Sequence, residues 1–477
     1  MLAADTPNQL KLLTAALLVL GLVLGLVAAL GLLRDSSSLS SLRSRTTEVS
    51  ATSDLYYRLN DMDAQAADLL LVGYHPAAGF QVPASVNAQA SYTTYNSDRS
   101  AADTDLELIA ENPRLNAEAS SLLNTLGSYE ADIADAFYID EQATSQKPAT
   151  PPPAALSEYE QASALLHSSM LKASQNITTQ DSTAVDASYS ADHSAISAFG
   201  YAILGGALLA VLALFLGNRY YARRFRRRVS WLAGAAVAAL VVGLIGLTTQ
   251  LGEASHLHVA KQEAYDSIYA LDRAQAISDD ANADESRWLL EDLSPAFQTS
   301  YFQEASEVGG LTSVSAAQAA SNPSSYYSAL ASAVGALHVN SAANTVSGAV
   351  NIGGYLGAEL GNVTFPGEAE AAFTATQDYN AYVQDDGKIR ADADSGNLAG
   401  AVAIDIGLSA GQSNYDFNTY MKALGQVIQV NTRYFNAAVS AGQSGHGATA
   451  WAELVIGELI LLAFVTQAGY ARLREYR

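Results

Sequence analysis

Four apolar runs constrain this chain more than any other feature. Leu12 to Leu33, Ile196 to Leu216, Trp231 to Thr249 and Ala448 to Ala468 are each about twenty residues long. The first three carry no charge, and the fourth is interrupted only by Glu453 and Glu458. A helix of that length crosses a hydrocarbon core of about 30 Å. The first run exceeds the apolar core of a signal peptide, and no A-x-A site follows it closely, so it is expected to stay in place as a span. The chain therefore reads as an all-α membrane protein. It has transmembrane helices at 12–33, 196–216, 231–250 and 448–468, with large polar segments at 34–195 and 251–447.

Orientation follows from arginine. The stretch NRYYARRFRRRVS packs Arg219, Arg223, Arg224, Arg226, Arg227 and Arg228 into the short loop 217–230, and the tail 469–477 adds Arg472, Arg474 and Arg477. Short segments rich in Lys and Arg resist translocation, so loop, tail and N-terminus are expected on the cytoplasmic side of a multi-pass cell-membrane protein. Six arginines between two spans act as a cytoplasmic anchor or docking point. Contact with lipid headgroups is compatible with that placement, whereas binding of nucleic acid is not expected.

Both large segments then fall outside the cytoplasm. Residues 34–197 hold 22 acids against 8 bases and residues 251–449 hold 22 against 7, in a chain of formal charge -23. Such acidity keeps a domain soluble and argues against polyanionic partners, without specifying a fold. The absence of cysteine excludes disulfides, iron–sulfur clusters and thiolate zinc sites.

Helical spacing dominates the first segment. Leu42, Val49, Leu55, Leu59, Met62, Ala66, Leu69 and Leu70 mostly recur at steps of three, four or seven, so a helix is expected to run straight out of the first span. Pro83 to Ile109 and Pro113 to Ile139 read as two more helices, and QKPATPPPAA from Gln146 as a stiff extended connection. A fourth helix from about Ser157 feeds the second span, which completes a four-helix bundle. In the second segment, Gln262 to Leu293, Glu368 to Gln384 and Asn414 to Val439 are helical in pattern. Between them, 309–367 is rich in Ala, Ser and Gly and is expected to be an insertion or irregular cap.

Signals for chemistry are sparse. Gly407-Leu-Ser-Ala-Gly411 fits the nucleophile-elbow pattern, and Asp416 and His446 follow in hydrolase order, yet no sheet precedes Ser409 and the spacing is short. It reads as a glycine-bearing turn. His256 and His258, two residues apart, point to different sides of a helix and make a poor metal pair. No catalytic residue, metal or cofactor is expected. Within the membrane, Gly21, Gly25 and Ala29 form a small-residue ridge suited to close helix packing, within the chain or in a homo-oligomer. Glu458 lies at membrane depth, where a carboxyl serves structural hydrogen bonding, a signalling hinge or transport.

An internal repeat remains. DAQAADLLL from Asp63 matches DANADESRWLL from Asp280, and both start thirty residues beyond a span, about 45 Å along a helix at 1.5 Å per residue. In the second copy Asp284, Arg287 and Glu291 share one helix face. One reading is a solvated ion-pair ladder with Trp288 as core. The other is an exposed docking tip built from Asp280, Asp284, Arg287 and Trp288, since arginine and tryptophan are frequent binding anchors.

TPNQLKLLTAALLVL, AADLLLVGYHPA, DANADESRWLLED, LGAELGNVTFPGEAEAA and the closing ARLREYR, in this order across nearly the full length, resemble the actinobacterial GlnX-type four-span membrane signalling proteins. The resemblance implies a relay between an extracytoplasmic solute-binding (lipo)protein that senses amino acids and a cytoplasmic Ser/Thr kinase. The insertion 309–367 is extra to that pattern. Large polar segments and minimal cytoplasmic ones independently suit a receptor whose output is read by a partner. The alternatives are a direct small-molecule chemoreceptor and a structural scaffold of the envelope. A buried polar cavity would favour direct sensing, and an exposed polar cap around Asp280 to Trp288 would favour docking.

Overall fold

The computed structural model describes residues 6–72, 74–75, 79–80, 88–143, 147–225, 229–445 and 448–474. Almost every described residue is helical, and four helices are long and apolar enough to cross a membrane. The chain divides into two compact units. One comprises Met1–Ser44, Ala184–Gln262 and Phe435–Arg477, and the other Arg45–Thr183 and Glu263–Tyr434. They are called the span unit and the polar unit below.

In chain order, α1 (Thr6–Leu71) is unbroken over 66 residues. A two-residue antiparallel pair, β1 (Tyr74–His75) with β2 (Gly79–Phe80), follows. Then come α2 (Ala88–Ala110), α3 (Asn116–Glu141) and α4 (Pro153–Leu165). A π-helical turn at Leu166–Met170 leads from α4 directly into α5 (Leu171–Phe225). After α6 (Ser230–His258), a second π-helical stretch, Val259–Tyr265, leads into α7 (Asp266–Leu290).

The span unit takes its core from α1, α5, α6 and α15 (Ala448–Leu473). Leu17, Leu214, Leu232 and Leu461 face one another inside it. Leu22, Leu26, Leu209, Val237 and Leu459 are exposed on its outside. Helices apolar on every side have no aqueous face, which fits lipid as solvent. Glycine brings the helices close: a Cβ on Gly243 would stand 2.3 Å from that of Ala207, and one on Gly246 2.7 Å from Ile203 Cγ2. The Gly21–Gly25 ridge packs within the chain, against Leu461, Leu462 and Glu458 of α15.

In the polar unit, the rest of α1 joins α2, α3, α4 and the start of α5 in the expected four-helix bundle around Leu55, Met62, Leu126, Tyr129 and Tyr159. Pro113 stands in the turn before α3, so that helix begins three residues later than the sequence pattern suggests, at Asn116. Pro153 supplies the first residue of α4, where its missing N–H costs nothing. The second segment supplies α7, α8 (Pro295–Gly309), α9 (Ala316–Ser321) and α10 (Pro323–Gly335). A hairpin of β3 (His338–Asn340) and β4 (Thr345–Ser347) follows. The segment ends in α11 (Gly354–Gly361), α12 (Glu368–Asp394), α13 (Leu398–Asp405) and α14 (Ser413–Gly445).

Two expectations change here. The region 309–367 is not an irregular cap: Tyr326, Leu330, Ile352, Leu356 and Leu360 are buried in a second core with Phe302, Tyr379 and Leu424. Short helices with individual caps hide their periodicity, as at Ser315, whose side chain and that of Gln318 form a reciprocal capping box. Nor do the two polar segments stand apart. Trp288, Leu289, Leu290, Val402 and Ile406 share one continuous core with Leu55 and Tyr129, so both segments fold as a single compact unit.

Candidate functional site

The two copies of the internal repeat meet. Asp63 of α1 is fully buried, and its Oδ2 accepts hydrogen bonds from Arg287 Nε (3.0 Å), Ser163 Oγ (3.1 Å) and Tyr159 Oη (3.2 Å). Its Oδ1 accepts from Tyr129 Oη at 3.3 Å. Arg287 Nη1 donates to Asp280 (3.2 Å) and to Asp284, so one guanidinium holds three carboxylates. Its side chain is 2 % exposed. His167 Nε2 stands 3.9 Å from Asp280.

Burial governs the electrostatics. It pushes the Asp284 carboxyl up to about 7, although Arg287 pulls the other way. Burial and the neighbouring Asp280 and Asp284 hold Glu304 well above the carboxylate range. Burial also works against the charge on Arg287, yet Asp284, Asp63 and Asp280 outweigh it and keep the guanidinium firmly protonated. For His167, burial and then Arg287 lower the imidazole below its ordinary value.

A second polar cluster adjoins the first along α7. Ser286 Oγ lies 2.8 Å from Asp68 Oδ1 and 3.0 Å from Asp405 Oδ2. A hydroxyl has one hydrogen to donate, so both contacts are hydrogen bonds only when one carboxyl is itself protonated. Burial pushes Asp68 up to about 7 and, together with the charge of Asp68, holds Asp405 well above its usual value. Asn414 Nδ2 completes Asp68, and Ser413 Oγ donates to the buried Glu285. Beyond them Arg390 binds Asp386 through Nε and lies over the Trp288 ring, 4.5 Å from its centroid.

Beside this network the polar unit has a cleft of about 60 Å³, walled by Tyr57, Asp61 and Gln65 of α1, Ser91 and Thr94 of α2, and Asn414, Phe417 and Asn418 of α14.

The expectation of an exposed docking tip is corrected. Asp280, Asp284, Arg287 and Trp288 are all buried, with relative exposures of 9, 1, 1 and 3 %. The reading as a solvated ion-pair ladder fails for the same reason, though Trp288 is core as that reading had it. Sequence reasoning found the repeat and its equal offset but placed the copies on separate bundles. The signal that they pair was their charge: Asp63 and Asp68 stand on one copy and Arg287 on the other. The contributions of Asp405, Asp386 and Arg390 left no such trace.

The other candidates lie elsewhere. Ser409 sits in a turn between α13 and α14 where its N–H donates to Gln412 Oε1, and Asp416 Oδ2 accepts from Gly411 N, while His446 falls outside the described residues. His258 Nδ1 is 3.3 Å from Tyr189 Oη. Arg219, Arg223 and Arg224 are exposed along a surface groove at the end of α5. Arg226, Arg227 and Arg228 lie outside the described residues. Asn218 Oδ1 accepts from Val229 N at 3.0 Å. Glu458 lies against Gly25, where a Cβ would stand 3.1 Å from its Cδ.

Residues 38–190 match the family model described as an actinobacterial sensor domain. No curated protein and no solved structure matches the chain. With the four long apolar helices, the match describes a membrane protein of sensor type, similar over this segment to actinobacterial sensor domains.

Proposed function

We propose that the protein is a transmembrane signal relay without enzymatic activity or cofactor. The observation that carries this reading is the buried Asp63–Arg287 network, because it ties together two long helices that each also contain an apolar span. α1 is unbroken from Thr6 to Leu71, and helix continues from Ser230 to Leu290 through one π-helical stretch. A helix is stiff along its axis, so a small axial shift at Asp63 or Arg287 is passed along it rather than absorbed. A buried contact that can switch between two arrangements turns a local event into a helix displacement.

In the fuller form of the proposal, the polar unit is extracytoplasmic, while the loop 217–230 and both chain ends are cytoplasmic. The input comes from an extracytoplasmic solute-binding (lipo)protein in amino-acid sensing, and the output is read by a Ser/Thr kinase at Arg219, Arg223 and Arg224. The resemblance to the GlnX-type proteins and the sensor-domain match support this reading. Because Asp280, Asp284, Arg287 and Trp288 are buried, a solute-binding partner docks on other residues of the polar unit. Reporter fusions after residues 228 and 477 test the orientation: an external signal at either refutes it. Capture of the kinase by the native chain, lost in the triple Arg219→Gln, Arg223→Gln, Arg224→Gln variant, tests the output, and equal capture by both refutes it.

A second reading, direct sensing of a small molecule by the polar unit, is favoured by the polar cleft at Asp61.

A further inference from the structure

The exposed apolar row of α5 runs straight into arginine. Leu208, Leu212 and Leu216 lie on the outside of the span unit, and Arg219 and Arg223 continue the same helix face at steps of three and four residues. Leu216 closes the apolar run. At 1.5 Å per residue Arg219 stands about 4.5 Å beyond it and Arg223 about 10.5 Å. The headgroup layer is roughly 5–7 Å deep on each side of the hydrocarbon core. Cα–Cβ bonds of a helix tilt toward its N-terminus, which for this end of α5 is back toward the span, so the long arginine stems lead into that layer.

These residues enclose a surface groove of about 400 Å³, walled by Leu216, Arg219, Tyr220, Arg223 and Arg224. That is within the size range of small-molecule sites. Among the described residues no acid walls it. In a chain of formal charge -23 the nearest acids in sequence are Asp192 and Glu253, beyond the far ends of the two flanking spans. The C-terminal end of α5 contributes about half a negative charge, which three guanidinium groups outweigh. Tyr220 donates its Oη to Gln9 Oε1 at 2.8 Å, which ties that wall to α1. A tyrosine is apolar along its ring and polar at its tip, as the border between hydrocarbon and headgroups requires.

We propose that this groove binds the phosphate of an anionic phospholipid, with Arg219 and Arg223 as its ligands. A guanidinium meets phosphate oxygens through a fork of two N–H donors, which a lysine cannot offer. The apolar row decides the source of the phosphate. Acyl chains lying on Leu208, Leu212 and Leu216 hold a headgroup at the groove, whereas a soluble phosphate gains nothing from them. A lipid bound there would fix the depth of α5 in the membrane. The inference goes beyond the relay proposal and needs no kinase, so lipid binding without kinase capture, or the reverse, keeps the two apart.

The test titrates the purified full chain in neutral detergent with phosphatidylglycerol, phosphatidylcholine and glycerol 3-phosphate. Bound lipid is followed by native mass spectrometry. Saturable binding of phosphatidylglycerol is expected, about tenfold tighter than that of phosphatidylcholine, with no binding of glycerol 3-phosphate at the same concentration. Arg219→Gln combined with Arg223→Gln should weaken it by about tenfold or more, and Arg219→Lys with Arg223→Lys, which keeps charge but not the fork, by about threefold. Arg474→Gln with Arg477→Gln removes as much charge from the tail and should leave affinity within about twofold. Both groove variants should melt as the native chain does without lipid, because Arg219 and Arg223 are exposed, so lost binding is not lost folding. Equal affinity for phosphatidylcholine or glycerol 3-phosphate, native affinity in the double glutamine variant, or an equal loss in the tail variant would overturn the proposal.

Discussion

Replacing Arg287 by methionine is the sharpest test of the structure. The side chain is apolar and long enough to fill much of the space, so the change removes charge more than volume. It leaves Asp63, Asp280 and Asp284 buried with no cation among them. Breaking a buried ion pair from one side costs about 3–5 kcal/mol. The polar unit has about 310 residues. At about 2.1 cal/mol/K per residue its unfolding entropy is roughly 0.65 kcal/mol/K, so the melting temperature should fall by roughly 5–8 °C. The sign of the pH dependence follows from Asp284. Its pKa is raised to about 7 even beside Arg287, and loss of the guanidinium raises it further. A carboxyl raised in the folded state is most favourable below its unfolded pKa and loses that contribution as pH rises through the folded one. The deficit of Arg287→Met should therefore grow as pH rises above about 7, where the native carboxyl has ionised and that of the variant has not. Scanning fluorimetry of the purified chain reads this through Trp288, which neighbours the site and is one of three tryptophans. Arg287→Lys, which keeps the charge but not the fork, should fall between the two. A melting temperature within about 1 °C of the native chain at pH 8, or a deficit that grows as pH falls, would refute the reasoning.

Asp405→Asn should be nearly neutral at pH 7, since the amide supplies the donor that the protonated carboxyl gives Ser286. Because Asp68 and Asp405 are both raised, the native chain loses stability as pH rises from the ordinary carboxylate range, up to about 7 for Asp68 and further for Asp405, which is held well above its usual value. The variant should lose less between pH 7 and 9 in the same melting assay; an equal or steeper loss would contradict a shared proton. In the span unit, Gly243→Val puts a side chain where a Cβ already meets that of Ala207 at 2.3 Å. It should cost about 1–3 kcal/mol and lower the yield of folded protein on gel filtration, whereas Gly252→Ala, with open space around it, should not.

Much of the fold is legible in the chain because the bilayer imposes a one-dimensional rule. A span needs about twenty apolar residues in sequence, so Leu12 to Leu33 and its three counterparts declare themselves without tertiary information. Helical periodicity likewise marks α1, α3 and α14, whose apolar faces repeat over many turns. Region 309–367 was less legible. Its helices are short and its burial depends on Phe302 and Tyr379, which lie outside it. The site was half visible. The repeat showed that Asp63 and Asp280 occupy equivalent places, and composition showed that Arg287 is a rare base in an acidic domain. A charged helix face, though, looks the same in sequence whether water or another charged face covers it. Only the packing of α1 against α7 made Arg287 a buried hub rather than an exposed anchor, because a guanidinium leaves water when carboxylates replace its hydration on several sides at once.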